Sequence, residues 1–299
     1  MKNHLKATLG TLYKYSGFLP IQEIIYRWTC DPFLVVLLFH RVTDEIPEDS
    51  LTVSCTRFRA LCHMLAKRFR VVPLGEIFRL IRMGRPLPPR TVAITFDDCY
   101  YDNLPAARVL AEYGLPATFF IPTAYVGTDH VFPWDRNLKP MPNLDWEDVA
   151  EMHRLGFEIG SHTVTHANLG AVTAEQADWE IVESKAILED RLGSQVRWLA
   201  YPFGGVNNFC RDWLPLMKEA GYEGCVSAYG GFIYPGTDTD ILPRQAATGF
   251  SSTLSLEVFL TGSLAWYYAF KRRMGLSVPW QTFVPQMECL DPRIPHGVR

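Results

Sequence analysis

Residues 91–98 read TVAITFDD, an apolar and β-branched run that ends in two acidic side chains. Continuous runs of this kind are typical of strands inside a parallel sheet that is covered on both faces, whereas strands with one face in water alternate apolar and polar residues. Similar runs of strand length occur at residues 33–39, 117–121, 157–160, 198–201 and 224–227. We therefore predict a buried parallel sheet.

Segments with helical periodicity separate these runs along the chain, and several end at a glycine suited to close the last helical turn. They lie at residues 58–68, 74–83, 104–113, 146–155, 174–192 and 211–220. Strand–helix alternation predicts βαβ units, and the number of units suits a barrel of seven or eight strands. The fold class predicted from the pattern is α/β, as one domain.

The chain divides into three predicted regions. Residues 1–30 form an N-terminal extension, residues 31–250 the barrel, and residues 251–299 a C-terminal helix and tail. The apolar segment 254–274 ends in Lys271, Arg272 and Arg273. Two interpretations stay open for it: a helix packed on the barrel, or an interfacial helix that contacts a membrane or an assembly partner.

Composition excludes several classes of protein. Hydrophobic residues make up 48% and charged residues 20% of the 299 positions, which is ordinary for a globular protein. The formal net charge is −3, and the sequence contains no run of Lys and Arg of the kind that binds nucleic acid. The composition therefore indicates no nucleic-acid partner. The seven cysteines form no CxxC pair, which argues against a disulfide framework and a cysteine zinc site. With no export signal or membrane span identified, we expect a cytoplasmic or peripheral membrane location.

Asp97 and Asp98 directly follow the decisive strand, and catalytic groups collect at the carboxyl ends of parallel barrel strands. Adjacent carboxylates are costly unless positive charge lies nearby. Because successive side chains at a strand end point different ways, one carboxylate can bind a cation while the other faces the reacting atoms. The alternative is a helix-capping pair on a solvated loop.

Residues 161–166 read SHTVTH and follow another predicted strand, at residues 157–160. Two histidines four positions apart can converge on one metal ion, although two solvated histidines would give the same pattern. Two imidazoles and one carboxylate suit zinc, with cobalt, nickel, iron or manganese as alternatives, and they leave coordination positions open for catalysis. The chain has no HExxH sequence, which argues against a zincin protease.

Three motifs together resemble the polysaccharide deacetylases of carbohydrate esterase family 4, the nodulation-deacetylase homology domain. They are TFDD at residues 95–98, SHTVTH at 161–166 and YPFG at 201–204, within a similarity that spans roughly residues 33–248. The resemblance implies an irregular (β/α)7-type barrel and a metal-dependent hydrolase that removes N-acetyl groups from an amino-sugar glycan. It implies these roles: general base, Asp97; metal ligands, Asp98, His162 and His166; oxyanion and substrate contacts, Tyr201, Phe203 and Leu242.

Two positions depart from the common family pattern. Ala200 stands where most members carry an arginine that orients the base, and the late histidine motif is replaced by Leu242-Pro243-Arg244. The strand-like run 33–39 followed by His40 resembles the branch with the biofilm poly-N-acetylglucosamine deacetylases, in which an early histidine acts as the general acid. By this resemblance His40 is the acid, and Arg244 replaces the missing base-orienting arginine.

Other functions stay open at this point. An O-acetyl ester or a small N-acyl compound could be hydrolysed on the same fold. The two departures also fit a catalytically silent glycan-binding member of a polysaccharide assembly system. A predicted surface loop at residues 131–143 contains Trp134, Asp135 and Arg136, which are candidates for sugar contact or ordinary loop residues.

Overall fold

The computed structural model of the chain describes residues 33–84, 87–139 and 141–262. The predicted extension 1–30 lies outside the described residues, as does the tail beyond residue 262 with its basic cluster at 271–273. Within the described ranges, no helix is both long and apolar enough to cross a bilayer.

A nine-stranded parallel sheet forms the centre of the described part of the chain. The strands are β1 Leu34–Phe39, β4 Arg70–Val71, β5 Thr91–Phe96, β6 Thr118–Ile121, β7 Glu158–Ser161, β8 Trp198–Ala200, β9 Gly224–Val226, β10 Ile241–Leu242 and β11 Gln245–Ala246. A separate parallel pair consists of β2 Arg41–Val42 and β3 Thr52–Val53. All six strands predicted from apolar runs are present, and the five additional strands have only two residues each, too few to give a periodic signal.

The strand order is β10-β9-β8-β7-β6-β5-β1-β11, and β4 pairs with the first two residues of β5, on the edge that β6 occupies at the end of that strand. The first and last strands of this order, β10 and β11, are separated in the chain by only Pro243 and Arg244. One short stretch, residues 241–246, therefore lies at both ends of the sheet, which curls into the predicted irregular α/β barrel.

Helices flank the sheet as the sequence predicts. Their bounds are Cys55–Arg68, Leu74–Arg82, Asn103–Glu112, Trp146–Arg154, Ala174–Asp178, Ser184–Leu192, Leu214–Glu219 and Thr253–Leu260, with short 3-10 turns at Pro133–Asp135, Arg211–Trp213 and Ala247–Gly249. The predicted helix at 174–192 contains a π-helical turn, Trp179–Glu183. In the helix Thr253–Leu260, the Phe259 ring stacks on Phe232 at a centroid distance of 4.6 Å, so this part of the tail packs on the barrel.

Strands β1 and β5 are buried at every position and pair in register from Leu34–Thr91 to Phe39–Phe96. Because the two strands end at the same level, the residues that follow them leave the sheet side by side. The Asp97 N–H donates to the Phe39 carbonyl at 3.1 Å, which continues the ladder one step beyond the strands. This register brings His40 and the two acidic residues to one rim of the barrel.

Candidate metal centre

Asp98, His162 and His166 meet at the carboxyl ends of β5 and β7. Their ligand atoms all lie within 4.8 Å of one another. All three residues are buried, and the most exposed of them shows 8% of its surface. Asp98 Oδ1 is 3.3 Å from His162 Nε2 and 3.2 Å from His166 Nε2. Two loops separated by more than 60 positions thus converge on one point.

This cluster fits a divalent cation. Asp98 Oδ1 is buried and has no hydrogen-bond partner, a costly state for an isolated carboxylate. His162 Nδ1 lies 2.6 Å from the Ala200 carbonyl, so Nδ1–H donates there and leaves the Nε2 lone pair for a metal. Burial alone would raise the pKa of Asp98, but the imidazoles of His162 and His166 that face its carboxylate hold the pKa well below its usual range. The three residues therefore offer one anionic oxygen and two ring nitrogens.

Backbone strain is concentrated in the loops around this cluster. Among the described residues, six that are not glycine have a positive φ, and five of them belong to these loops: Asp98 (76°), Cys99 (48°), Thr163 (67°), His166 (59°) and Phe203 (63°). Such conformations persist only where the surrounding structure enforces them, and they cluster at functional sites. Two of the candidate ligands are themselves in this conformation.

Arg244 makes a two-pronged ion pair with Asp97. Nη1 donates to Oδ1 at 2.7 Å and Nη2 to Oδ2 at 2.6 Å, and both side chains are buried. Arg244 is itself fixed, because Nε donates to the Ser227 carbonyl at 2.7 Å and Nη1 to the Thr95 hydroxyl at 3.2 Å. Burial would raise the pKa of Asp97, but the charge of Arg244, then that of His162, lowers it below its ordinary value. Asp97 is thus held as a carboxylate beside the metal cluster, with Oδ2 3.8 Å from His162 Nε2.

His40 lies on the other side of Asp98, with Nε2 4.0 Å from Asp98 Oδ2 and its side chain 15% exposed. Asn103 fixes its backbone by donating from Nδ2 to the His40 carbonyl at 2.7 Å, and the same amide donates to Asp102 Oδ1 at 2.9 Å. Burial lowers the pKa of His40, while the charges of Asp98 and Asp97 oppose that shift. The imidazole is therefore close to the metal cluster and keeps part of its surface exposed.

The three residues expected to contact substrate differ in their surroundings. The Phe203 ring is 5.0 Å from the His166 ring, at the metal cluster. Tyr201 is buried, and its hydroxyl donates to the Gly204 carbonyl at 3.1 Å. Leu242 is buried in an apolar cluster that includes Val36 of β1 and Phe78 of the helix Leu74–Arg82. Of the three, only Phe203 makes a described ring contact with a candidate ligand.

A buried network that the sequence did not predict lies beside the cluster. Arg41 donates from Nε to the Thr52 hydroxyl at 3.0 Å and pairs through Nη1 with Asp135 and through Nη2 with Asp49. The Tyr100 hydroxyl also donates to Asp135. The only sequence signal for this network is the position of Arg41, directly after the predicted strand 33–39 and His40. That position does not indicate which residues Arg41 contacts.

The network fixes the loop that contains Trp134. Trp134 Nε1 donates to the Tyr100 hydroxyl at 3.1 Å, and its ring stacks on Phe132 at 4.7 Å. The same ring is 5.2 Å from the ring of His166 and 6.1 Å from that of Phe203. The stacked rings of Phe132 and Trp134 therefore form an aromatic wall beside His166, one of the candidate ligands.

Comparison of the chain with known proteins finds similarity to polysaccharide deacetylases. A family model described as polysaccharide deacetylase matches residues 84–225. YxkH of Bacillus subtilis, named as a candidate polysaccharide deacetylase, is 28% identical over 192 residues, which cover 64% of this chain and 62% of that protein. A poly-β-1,6-N-acetyl-D-glucosamine N-deacetylase of Staphylococcus aureus is 28% identical over 187 residues, or 58% of this chain and 60% of that protein. The chain thus spans about three fifths of the length of these curated relatives.

Solved structures support the same fold. A Streptococcus pyogenes deacetylase, PplD, matches with a TM-score of 0.65 and 21% identity, covering 76% of this chain and 97% of that one. IcaB from Ammonifex degensii matches with a TM-score of 0.62 and 22% identity, covering 77% and 97% of the two chains.

Proposed function

Because residues 84–225 match the polysaccharide deacetylase family model and the curated relatives carry that activity in their names, we propose that the chain is a metal-dependent hydrolase that removes N-acetyl groups from an amino-sugar polysaccharide or oligosaccharide. The observation that carries this proposal is the convergence of two imidazoles on the unpartnered oxygen of Asp98, beside a second carboxylate held by Arg244. A polymer of the class named for the Staphylococcus aureus relative is the substrate we propose to test first.

We assign the metal ligands to Asp98, His162 and His166. Two ring nitrogens and one carboxylate suit zinc, and cobalt, nickel, iron and manganese are the alternatives that elemental analysis would distinguish. A divalent cation bound there supplies Lewis acidity, which lowers the pKa of water and polarises an acyl oxygen.

The remaining residues would handle protons and position the acetyl group. Asp97 accepts a proton from the water that adds to the acetyl carbon, and Arg244 keeps that carboxylate ionised and oriented. His40 donates a proton to the nitrogen as the carbon–nitrogen bond breaks, which yields acetate and a free amine. The Phe203 N–H would donate to the developing oxyanion, with Tyr201 and Leu242 lining the acetyl pocket.

Opposite protonation states are required of Asp97 and His40, so the rate should have a bell-shaped dependence on pH. Activity is lost as the pH falls through the pKa of Asp97, which Arg244 keeps below its ordinary value of 3.8 against the effect of burial. It is also lost as the pH rises through the pKa of His40, which burial keeps below 6.5 in the metal-free protein. Replacing His40 by glutamine should remove the alkaline limb from the residual activity.

A silent glycan-binding protein is the rival from another class. It draws support from the departures at Ala200 and Arg244, but the Arg244 guanidinium contacts both oxygens of Asp97 and can serve the orienting role. This contact favours the hydrolase.

Acetate release from β-1,6- and β-1,4-linked N-acetylglucosamine oligomers, with and without a chelator, tests the proposal. Asp97→Asn should retain the metal and lower kcat by about 10²–10⁴-fold, and His40→Ala should lower kcat by a similar factor. Loss of metal in Asp97→Asn would mean that Asp97 is the metal ligand and Asp98 the base. Hydrolysis of O-acetyl esters or small N-acyl compounds alone would redirect the substrate class, and metal binding without any turnover would favour the silent binder.

A further inference from the structure

One buried carboxylate close to the cluster has no part in this mechanism. Glu180 is 4% exposed and lies beneath the loop that connects the two histidines. Its Oε2 accepts from the N–H groups of Val164 and Thr165 at 2.8 and 2.9 Å, and its Oε1 accepts from the Thr165 hydroxyl. The carboxylate therefore binds the middle of the loop between His162 and His166.

The loop needs such support because its backbone is strained. Thr163 and His166 both have positive φ, which costs free energy for residues other than glycine unless the surroundings enforce it. On one side, the N–H groups of Thr123 and Ala124 donate to the carbonyls of Thr163 and Val164 at 3.1 and 2.9 Å. Glu180 binds the N–H groups of the same segment, so the loop is held through both its acceptors and its donors.

Glu180 belongs to the π-helical turn Trp179–Glu183, a rare conformation that is often found at functional sites. The Ser184 hydroxyl donates to the Glu180 carbonyl at 2.7 Å and is also 2.7 Å from the Ser161 hydroxyl. Ser161 Oγ in turn accepts from the Thr163 N–H at 3.1 Å. Two tethers thus run from this turn to the loop, one through Glu180 and one through Ser184.

We propose that Glu180 is a positioning residue for the metal centre: its carboxylate holds residues 163–166 so that His162 and His166 face Asp98. This inference rests on the proposed metal-dependent function. It predicts that Glu180 sets metal affinity although it does not itself touch the ion.

The experiment is titration of the metal-free protein with zinc in competition with a chelating dye, without substrate. Glu180→Ala should weaken zinc binding by about 10–100-fold, the usual effect of groups that orient metal ligands. Glu180→Gln keeps a carbonyl oxygen for the two N–H donors and should stay within about threefold of the wild type. Thr165→Val removes one of the three hydrogen bonds and should give a loss between those of the two Glu180 variants, which also provides a reading if Glu180→Ala does not fold.

Glu158 provides a matched control, because it lies at the start of β7, whereas His162 follows the end of that strand. Its carboxylate also accepts from a backbone N–H, that of Leu74 at 3.2 Å, and from a hydroxyl, that of Thr118 at 2.8 Å. Glu158→Ala should therefore lower the melting temperature of the metal-free protein without weakening zinc binding beyond about threefold. The exposed Glu183, in the same π-helical turn, should be replaceable by alanine without either effect.

The outcomes separate this inference from the function on which it rests. If the wild type binds no zinc or other divalent ion, the proposed metal centre fails. If the wild type binds zinc and folded Glu180→Ala or Thr165→Val binds it equally well, the positioning role of Glu180 is wrong. Equal losses in Glu180→Ala and Glu158→Ala would also overturn it, because a general loss of stability would then explain the effect.

Discussion

At the residue scale, Asp97 and Asp98 are adjacent in sequence but have different neighbours. Asp97 receives both prongs of the Arg244 guanidinium, whereas Asp98 faces two imidazoles and has one oxygen without a hydrogen bond. A carboxylate held by a fixed cation can stay ionised at the metal site without binding the metal. These surroundings support the proposed division into base and ligand.

Arg244→Met tests that division through the pH profile. Burial raises the pKa of Asp97 and Arg244 lowers it, so the variant should move the acid limb of kcat/KM to higher pH. Breaking this buried pair should also cost about 3–5 kcal/mol in the free energy of unfolding. Arg244→Lys is the control, because it retains the charge without the two-pronged geometry. An acid limb at the same pH in Arg244→Met would remove Asp97 from the role of base.

Asp102 gives a prediction for stability. It is 8% exposed, its Oδ2 has no hydrogen-bond partner, and burial raises its pKa to about 7 against the hydrogen bonds from Val42 and Asn103. The folded protein therefore binds this proton more tightly than the unfolded chain, whose carboxyl group has a pKa near 3.8. Its contribution to stability is fully present below about pH 4 and is lost as the pH rises through about 7.

Asp102→Asn should consequently stabilise the protein relative to the wild type by about 2–3 kcal/mol more at pH 8 than at pH 5. Urea unfolding at the two pH values measures the difference, with the exposed Asp178→Asn as the control. An unchanged difference between pH 5 and pH 8 would mean that Asp102 titrates normally.

At the element scale, the loop around Trp134 depends on partners from distant parts of the chain. Asp135 accepts from Arg41, which follows β1, and from Tyr100, which follows β5. The residues that follow these strands therefore fix the position of a loop whose described part pairs with the rest of the chain through one isolated bridge, between Tyr100 and Asn143. We expect this arrangement to orient the aromatic wall towards a sugar.

Asp135→Asn should raise KM more than it lowers kcat, with a loss of about 10-fold or more in kcat/KM, because the wall moves while the proton-transfer groups remain. Tryptophan fluorescence should report the altered surroundings of Trp134. Asp49→Asn removes the partly exposed partner of the same arginine and should change neither reading much. A pure kcat effect in Asp135→Asn would argue that the network acts through His40 instead.

At the scale of the whole molecule, metal binding should stabilise the fold. An ion that binds only the folded state adds about 2.7 kcal/mol to the free energy of unfolding at a free concentration 100 times its Kd. The melting temperature of the wild type should rise with zinc, and His166→Ala should lose most of that rise. His63→Ala, on an exposed helix face, should respond like the wild type. A rise that persists in His166→Ala would place the ion elsewhere.

The sequence predicts those parts of the molecule that repeat a local pattern. Strands such as β1 and β5 are long, apolar and β-branched, so the sheet and the rim at which Asp97 and Asp98 lie could be inferred directly. The resemblance to a family directed attention to His40 and Arg244, and the structure brings both to the same rim. Two-residue strands such as β10 and β11 carry no periodicity, and their position depends on pairing across the sheet.

The burial of Arg41 could not be inferred, because its partner Asp135 lies 94 positions away and arginine is usually exposed. The role proposed for Glu180 was missed for a similar reason. The sequence predicts a regular helix at residues 174–192, in which a glutamate is usually exposed. The structure instead has a π-helical turn at Trp179–Glu183, and the Glu180 side chain is buried.

The position of Arg244 links completion of the fold to chemistry. It lies between β10 and β11, in the stretch that joins the two ends of the sheet, and its guanidinium reaches Asp97, directly after β5. A ribosome releases this stretch after all the other strands that the structure describes. Until it docks, Asp97 has no guanidinium to hold it, so the proposed base is complete only when both ends of the sheet are in place.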